Sequence, residues 1–218
     1  MQQTQNSDLT VANARGEQPG ATLALLTIVG LVLYVILDVI AQLLPPHYNA
    51  ISQAESDLAV GPYGFVMTIN FVLRGLLSLA LVWALSRAAS KSGLSRTGLV
   101  LLAIWGIGAL VLALFPTDLA GAKPTLHGII HLFVTELAFI CGACGELLLA
   151  LHFAKDGPWR SLSVPTLVIA ILAIIMFFAL LLPALPHAHG LEERIFIGLV
   201  LLWMLVVALR LRFFPART

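Results

Sequence analysis

The stretch Ala21–Leu43 reads ATLALLTIVGLVLYVILDVIAQL and carries a single acidic side chain, Asp38, in its 23 residues. A helix rises about 1.5 Å per residue, so roughly 17–25 apolar residues cross the hydrocarbon core of a bilayer. The stretch therefore predicts a membrane-spanning helix. It is far longer than the ~7–15 apolar residues of a signal peptide, so we expect an uncleaved helix.

Five further stretches have the same apolar character. They are Pro62–Leu85, Gly98–Phe115, Thr125–His152, Val164–Leu182 and Arg194–Leu211. Apolar residues form 60 % of the chain and charged residues 11 %, whereas soluble domains carry about 25 % charged residues. The mean hydropathy is +0.99. These features predict an all-α polytopic membrane protein whose main partner is the lipid bilayer. We expect a disordered segment at 1–20, a six-helix bundle at 21–211 and a tail at 212–218.

Basic residues are distributed unequally between the two sides of the predicted bundle. Nine of them adjoin one side: Arg15, Arg87, Lys91, Arg96, Lys155, Arg160, Arg210, Arg212 and Arg217. The other side, formed by loops 44–61, 116–124 and 183–193, has Lys123, with Arg194 at its edge. Because basic residues mark the cytoplasmic side, this predicts two cytoplasmic termini and three outward loops in the plasma (inner) membrane of a prokaryote. The net charge of +1 and the lack of a basic face exclude nucleic-acid binding.

The first outward loop, 44–61, has a helix-like pattern. Its apolar residues Ile51, Ala54 and Leu58 recur at near-helical spacing, opposite the polar Gln53, Ser56 and Asp57. This predicts a short amphipathic helix on the outer surface. In the second outward loop, Thr125 is placed to cap the fourth span.

Several ionisable residues fall within the spans, where an exposed charge is costly. Arg74 lies 12 residues after Pro62, which is about 18 Å along a helix and hence near mid-depth. It should therefore face the interior and contact Asp38 or Glu136. We expect a buried polar network of Asp38, Asn70, Arg74, Glu136 and Arg194. The favoured explanation is a structural ion pair, and the alternative is a role in moving substrate or protons.

His127 and His131 are spaced i,i+4 on the fourth span, a spacing at which two imidazoles can chelate one metal. Asp118 precedes them, and His187 and His189 in the third outward loop could complete a mixed nitrogen and oxygen site for a divalent metal such as zinc. The alternative is that these histidines are hydrogen-bonding groups at helix ends.

Cys141 and Cys144 form a CxxC within CGACG of the fourth span. Small residues at this spacing let membrane helices approach closely, so we expect packing in place of redox chemistry. The chain has no Walker, Rossmann or GxSxG motif, and no cofactor-binding residues are predicted.

Three segments carry a family resemblance: HYNAISQAESDLAVGPYGFVMTINFVLRG (47–75), FPTD (115–118) with LHGIIH (126–131), and HGLEERI (189–195). In this order they resemble a family of small six-helix prokaryotic membrane proteins, domain of unknown function 998. The resemblance implies a fold and a membrane location but no activity. It also implies a polar signature of Ser56, Asp57, Asn70, Arg74, Asp118, His127, His131, Glu193 and Arg194.

Two function classes remain open. The first is a metal-assisted hydrolase or transferase at the outer leaflet, in which Asp118, His127 and His131 hold the ion and Ser56, Asp57 or Glu193 serve as catalytic groups. The second is a non-enzymatic subunit of a membrane complex or a small-solute transporter. In either class we expect Asp57, Asp118, His127, His131, Glu193 and Arg194 to line one outward polar pocket for a lipid or small molecule, because buried polar groups must satisfy one another.

Overall fold

A computed structural model describes residues 19–182 and 188–213. The described chain is helical and contains six helices long and apolar enough to cross a membrane. They are α1 (Pro19–Leu43), α2 (Gly64–Ala88), α3 (Gly93–Leu112), α4 (Leu126–Phe153), α5 (Ser163–Leu180) and α6 (His189–Phe213). Two short 3₁₀ helices, Glu55–Ala59 and Gly157–Leu162, lie in connections. The predicted fold class is confirmed. Most of the segment predicted as disordered at 1–20 and of the tail predicted at 212–218 lies outside the described residues, whereas 19–20 and 212–213 belong to α1 and α6.

The six helices form a closed ring. Each helix packs against its neighbours in the chain, and α6 returns to pack against α1. Since consecutive helices run in opposite directions, the connections lie at two ends. We call the end with connections 44–63, 113–125 and 181–188 the long-loop end, and the end with connections 89–92 and 154–162 the basic end. The connection 44–63 packs onto α2 and α6 through its 3₁₀ helix, Glu55–Ala59.

An aromatic layer fills the middle of the ring. The rings of Phe139 on α4 and Phe196 on α6 stack with centroids 4.3 Å apart, and Trp105 on α3 lies 5.6 Å from Phe139. All three side chains are buried. Phe139 also lines a cavity at the long-loop end.

Small residues bring α3 and α4 together. A Cβ on Gly145 would lie 3.0 Å from the carbonyl oxygen of Gly98, so the two backbones approach as closely as glycine permits. Cys141 and Cys144 are free thiols on the same helix. The predicted packing role of the CGACG segment is confirmed.

The outer faces of the helices are apolar. Side chains such as Val29, Leu76 and Ile175 are more than half exposed, although the helices that carry them are among the most apolar parts of the chain. In water such a surface would drive aggregation. It is the surface expected of helices that contact lipid.

The predicted amphipathic helix of the first long loop is wrong in its extent and its polarity. Only Glu55–Ala59 is helical, as a 3₁₀ turn. Its buried side chains are the polar Glu55 and Ser56, whereas Ile51 is 57 % exposed. The polar side of the loop faces inward because the start of α6 supplies hydrogen-bonding partners for it, namely Glu193 and Arg194. Lipid would supply no such partners.

Candidate functional site

A cavity of about 270 Å³ lies at the long-loop end. Its walls come from α4, α5 and α6, and the 3₁₀ helix Glu55–Ala59 and the loop around Asp118 cover it. The polar lining residues are Ser52, Ser56, Asp57, Thr117, Asp118, His131, Thr135, Glu136, His189 and Glu193. The apolar lining includes Leu132, Phe139, Phe177 and Leu180.

Four carboxyl groups therefore face one small space: Asp57, Asp118, Glu136 and Glu193. Burial raises the pKa of Asp57 above its usual value, and the charges of His189 and Arg194 oppose this shift. Within the described lining there is no lysine or arginine. The cavity is thus an acidic site in which two imidazoles supply the only basic groups among the described lining residues.

Glu193 and Glu55 connect the cavity to the interior. The backbone N–H of Glu55 donates to Oε2 of Glu193 at 2.6 Å. Behind it, the hydroxyl of Tyr34 on α1 donates to Oε1 of Glu55 at 2.5 Å. Both glutamates and Tyr34 are at most 7 % exposed. A buried row of polar groups therefore runs from the cavity wall to α1.

Arg194 does not line the cavity but holds the covering loop in place. Its Nη1 donates to the carbonyl oxygens of Ala50, Gln53 and Gly190 at 3.0, 3.3 and 3.1 Å. Its Nη2 donates to the hydroxyl of Tyr48 at 2.5 Å, whose pKa is raised chiefly by burial. The loop that carries the 3₁₀ helix is thereby fixed to the first turn of α6.

Asp118 caps α4 together with Thr125. Its Oδ2 accepts the backbone N–H of Thr125 at 2.7 Å and its Oδ1 accepts the Thr125 hydroxyl at 2.8 Å. The Thr125 hydroxyl in turn accepts the N–H of Gly128 at 3.1 Å, so the predicted cap is confirmed. These bonds lower the pKa of Asp118 below its usual value. A Cβ on Gly128 would overlap the Asp118 carboxylate, so any larger residue here would displace that side chain from the cap.

The two histidines of α4 do not act as a pair. His131 is buried, and its Nδ1 lies 2.6 Å from the carbonyl oxygen of Phe115. His127 is exposed, and its ring lies 5.4 Å from that of Phe115. Among residues 19–182 and 188–213, no group of three His, Cys, Asp or Glu side chains is arranged to hold a metal ion. The structure therefore gives no support to the predicted zinc site at Asp118, His127 and His131, and His187 lies outside these ranges.

Arg74 is buried as predicted, at 2 % exposed, but its predicted ion pair with Asp38 or Glu136 is wrong. The only ion pair within the described chain joins His152 and Asp156. The guanidinium instead lies over the rings of Trp105 and Phe71, with centroids at 4.8 and 5.4 Å. Its Nε and Nη1 have no hydrogen-bond partner among the described residues. Cation–π contacts replace the expected carboxylate.

Where hydrogen bonds of the other members of the predicted polar network are described, their partners lie outside the network. Asn70 donates to the carbonyl oxygen of Tyr34 at 3.1 Å, and Asp38 accepts from Gln42 at 2.6 Å. Glu136 faces the cavity. The structure therefore does not join these residues in one hydrogen-bonded network.

Sequence reasoning missed Glu55, Tyr34 and Glu146. Glu55 directly precedes Ser56 and Asp57, which were selected as candidate catalytic residues, but it was not itself selected. Glu146 is fully buried in α4, and neither of its oxygens has a described partner. The signal for Glu146 was available, since an acid inside an apolar span is unusual wherever it occurs.

These features define the class of the protein: it is an all-helical integral membrane protein with an acidic cavity at one end of a six-helix ring. The chain belongs to the family described as "Protein of unknown function (DUF998)", which it matches over residues 28–210. No curated protein and no solved structure gives a significant match.

Proposed function

We propose that this membrane protein binds a small organic cation in the cavity at the long-loop end. The observation that carries the proposal is the convergence of Asp57, Asp118, Glu136 and Glu193 on a space with no described lysine or arginine. Like charges held together are unfavourable, and a cation that enters among them relieves this repulsion.

The size and the apolar walls of the cavity restrict the ligand. Its volume of about 270 Å³ is near the lower limit of the ~300–1,000 Å³ found for ligand pockets. Phe139, Phe177 and Leu180 offer one apolar wall. The favoured ligand is therefore an amine or quaternary ammonium that carries a compact apolar group, which aromatic rings can also attract.

The geometry favours binding over the metal-assisted hydrolysis considered from sequence. In the described structure, the Ser56 hydroxyl has no hydrogen bond to an imidazole or carboxylate that could activate it. Both carboxylate oxygens of Asp118 bond to Thr125 at the start of α4, and Nδ1 of His131 contacts the carbonyl oxygen of Phe115. A nucleophile with a base within hydrogen-bonding distance would be the minimum for acyl transfer.

We further propose that the protein lies in the plasma membrane of a prokaryote, with the long-loop end outward and both termini in the cytoplasm. The support is the nine-to-two distribution of Lys and Arg in the sequence. This orientation can be tested with a thiol reagent that does not cross the membrane. A single cysteine is placed at Ser90 or at Ala188 in a variant that carries Cys141→Ala and Cys144→Ala. Ala188→Cys should react in intact cells and Ser90→Cys only after lysis, and the reverse pattern would overturn the orientation.

The binding proposal is tested with benzyltrimethylammonium, a cation whose charge is independent of pH. Titration calorimetry on purified protein in lipid nanodiscs should show saturable binding of this cation and none of the neutral benzyl alcohol or the anionic phenylpropanoate. Glu136→Gln should weaken binding about tenfold, which corresponds to roughly 1.4 kcal/mol.

Glu192→Gln provides the matched control, because Glu192 lies on the first turn of α6 beside Glu193 but does not line the cavity. It should leave the affinity unchanged. Equal binding of the neutral and the charged probe, or an equal loss in both variants, would contradict the proposal.

A further inference from the structure

A second cavity, of about 330 Å³, lies at the opposite end of the ring, between the end of α2 and the start of α3. Three basic side chains line it: Arg87, Lys91 and Arg96. Ser86, Ser90 and Ser95 supply hydroxyl groups, and no acidic residue is among the described lining. The cavity has the opposite charge to the one at the long-loop end.

The three cations are not used to stabilise the described fold. Each is exposed, and none has a carboxylate oxygen within 4.0 Å among residues 19–182 and 188–213. By contrast, Arg210 at the same end donates to the carbonyl oxygen of Pro158 and lies over the ring of Trp159. Basic groups with no internal role around one recess are available to an external anion.

The loop that forms the recess is held rigidly. Asp156 accepts the backbone N–H of Ser90 at 2.9 Å and contacts His152 at 3.2 Å. The Ser92 hydroxyl lies 3.0 Å from Nδ1 of His152 and also accepts the N–H of Ser95. Asp156 itself does not line the recess. The site is thus preorganised, which lowers the cost of binding.

The start of α3 adds to the attraction for an anion. Ser95 and Arg96, in the first turn of α3, line the recess, and the positive end of the helix dipole lies at this turn. A reciprocal capping box of Ser92 and Ser95 fixes the turn. The recess thus offers groups that suit phosphate oxygens: three cations, serine hydroxyls and a helix N-terminus.

We propose that this recess, formed by Arg87, Lys91 and Arg96 with Ser86 and Ser90, binds a phosphate group, carried either by an anionic lipid headgroup or by free phosphate. Its position at an end of the membrane-spanning helices and the presence of Leu99 in its wall suit a lipid, whose chains would lie along the apolar faces of α2 and α3. The proposal is independent of the cation site at the other end.

Tryptophan fluorescence can report on this site selectively. Of the four tryptophans, Trp83 is 48 % exposed whereas Trp105, Trp159 and Trp203 are at most 2 % exposed. Trp83 lies four residues before Arg87 and hence on the same face of α2. Brominated lipid bound at the recess should therefore quench mainly Trp83.

The experiment compares vesicles that contain brominated phosphatidylglycerol with vesicles that contain brominated phosphatidylcholine. For the lipid source we expect a preference of roughly fivefold or more for the anionic lipid. The recess variant combines Arg87→Ala, Lys91→Ala and Arg96→Ala, and it should show no preference for the anionic lipid. The control combines Lys155→Ala, Arg160→Ala and Arg212→Ala, which remove three exposed charges at the same end but outside the recess, and it should retain the preference.

Free phosphate is tested in a second arm, in which the melting temperature is measured in inorganic phosphate and in chloride at equal ionic strength. Stabilisation by phosphate that the recess variant loses and the control retains identifies free phosphate as the ligand. If the recess variant does not fold, Arg96→Gln alone replaces it. The proposal is overturned if the two lipids quench equally and phosphate gives no stabilisation, or if both triple variants lose the preference to the same extent.

Discussion

Gly190 occupies a position where the covering loop touches α6, and its replacement by alanine tests how that loop is held. A Cβ built on Gly190 would overlap the carbonyl oxygen of Gln53 and lie 2.8 Å from its carbonyl carbon and 2.9 Å from the carbonyl oxygen of Ala50. Carbon atoms in contact are about 3.5 Å apart, so the loop must shift by about 0.7 Å or more. All the atoms that clash belong to backbone, which cannot rotate away.

The shift disturbs the hydrogen bonds that fix the loop. They are Leu191 N–H to Ile51 oxygen at 3.0 Å and the two bonds from Arg194 to Ala50 and Gln53 at 3.0 and 3.3 Å. A neutral bond contributes about 1 kcal/mol and a charge-assisted bond about 1.5–3 kcal/mol. Because the freed carbonyl oxygens can be hydrated and alanine favours the helix by about 1 kcal/mol, we expect Gly190→Ala to lower the free energy of unfolding by about 2–3 kcal/mol.

Unfolding in mixed detergent micelles, followed by circular dichroism, measures this change. Gly198→Ala is the control on the same helix, since no atom lies within 4 Å of a Cβ at that position. It should be neutral or slightly stabilising. If Gly190→Ala is as stable as Gly198→Ala, the loop is not docked as described, and the cover of the acidic cavity is misplaced.

Three further predictions address separate parts of the molecule. Arg74→Met should leave the free energy of unfolding within about 1 kcal/mol of the wild type or raise it. The reason is that an apolar group of similar length replaces a buried cation that has no carboxylate partner among the described residues. A larger loss of unfolding free energy in the same micelle titration would show that Arg74 has a partner outside the described residues. Thr125→Ala should cost about 1 kcal/mol through loss of the α4 cap, whereas Thr68→Ala, within α2, should cost less; equal losses would refute the capping role. Burial raises the pKa of Asp57, so its carboxylate should become protonated at a higher pH than that of an exposed aspartate. Affinity for benzyltrimethylammonium should therefore begin to fall at that higher pH as the solution is acidified. Asp57→Asn should remove this part of the pH dependence, and an unchanged pH profile in that variant would contradict the prediction.

The spans and the α4 cap, which depend on neighbouring residues in the chain, were predicted correctly from sequence, whereas contacts between distant residues were not. Each span was predicted to within five residues at either end, and Thr125 was placed correctly as a cap, because apolar length and capping are local properties. The partner of Arg74 was predicted wrongly. A guanidinium can be satisfied by aromatic faces as well as by carboxylates, and only packing decides which of them is within reach.

The candidate site shows the same division. Asp57, Asp118, His131 and Glu193 were selected from sequence and line the cavity, whereas His127 and Arg194 were selected and do not. His127 and His131 are one helical turn apart, yet one is exposed and the other buried. The neighbouring loop around Phe115 determines which of the two faces the interior, and its position depends on contacts distant in the chain.

The sequence by itself determined that this protein is a six-helix membrane protein, because the free energy of placing about 20 apolar residues in lipid depends on composition and length alone. Only the tertiary structure decided where its polar groups meet. The loop 44–63 folds inward because its carbonyl groups find Arg194 and the N–H of Leu191, and this brings Glu55 and Glu193 together across 138 residues. Such contacts form between groups whose separation in the chain carries no information about their separation in space, so no local pattern could have predicted them.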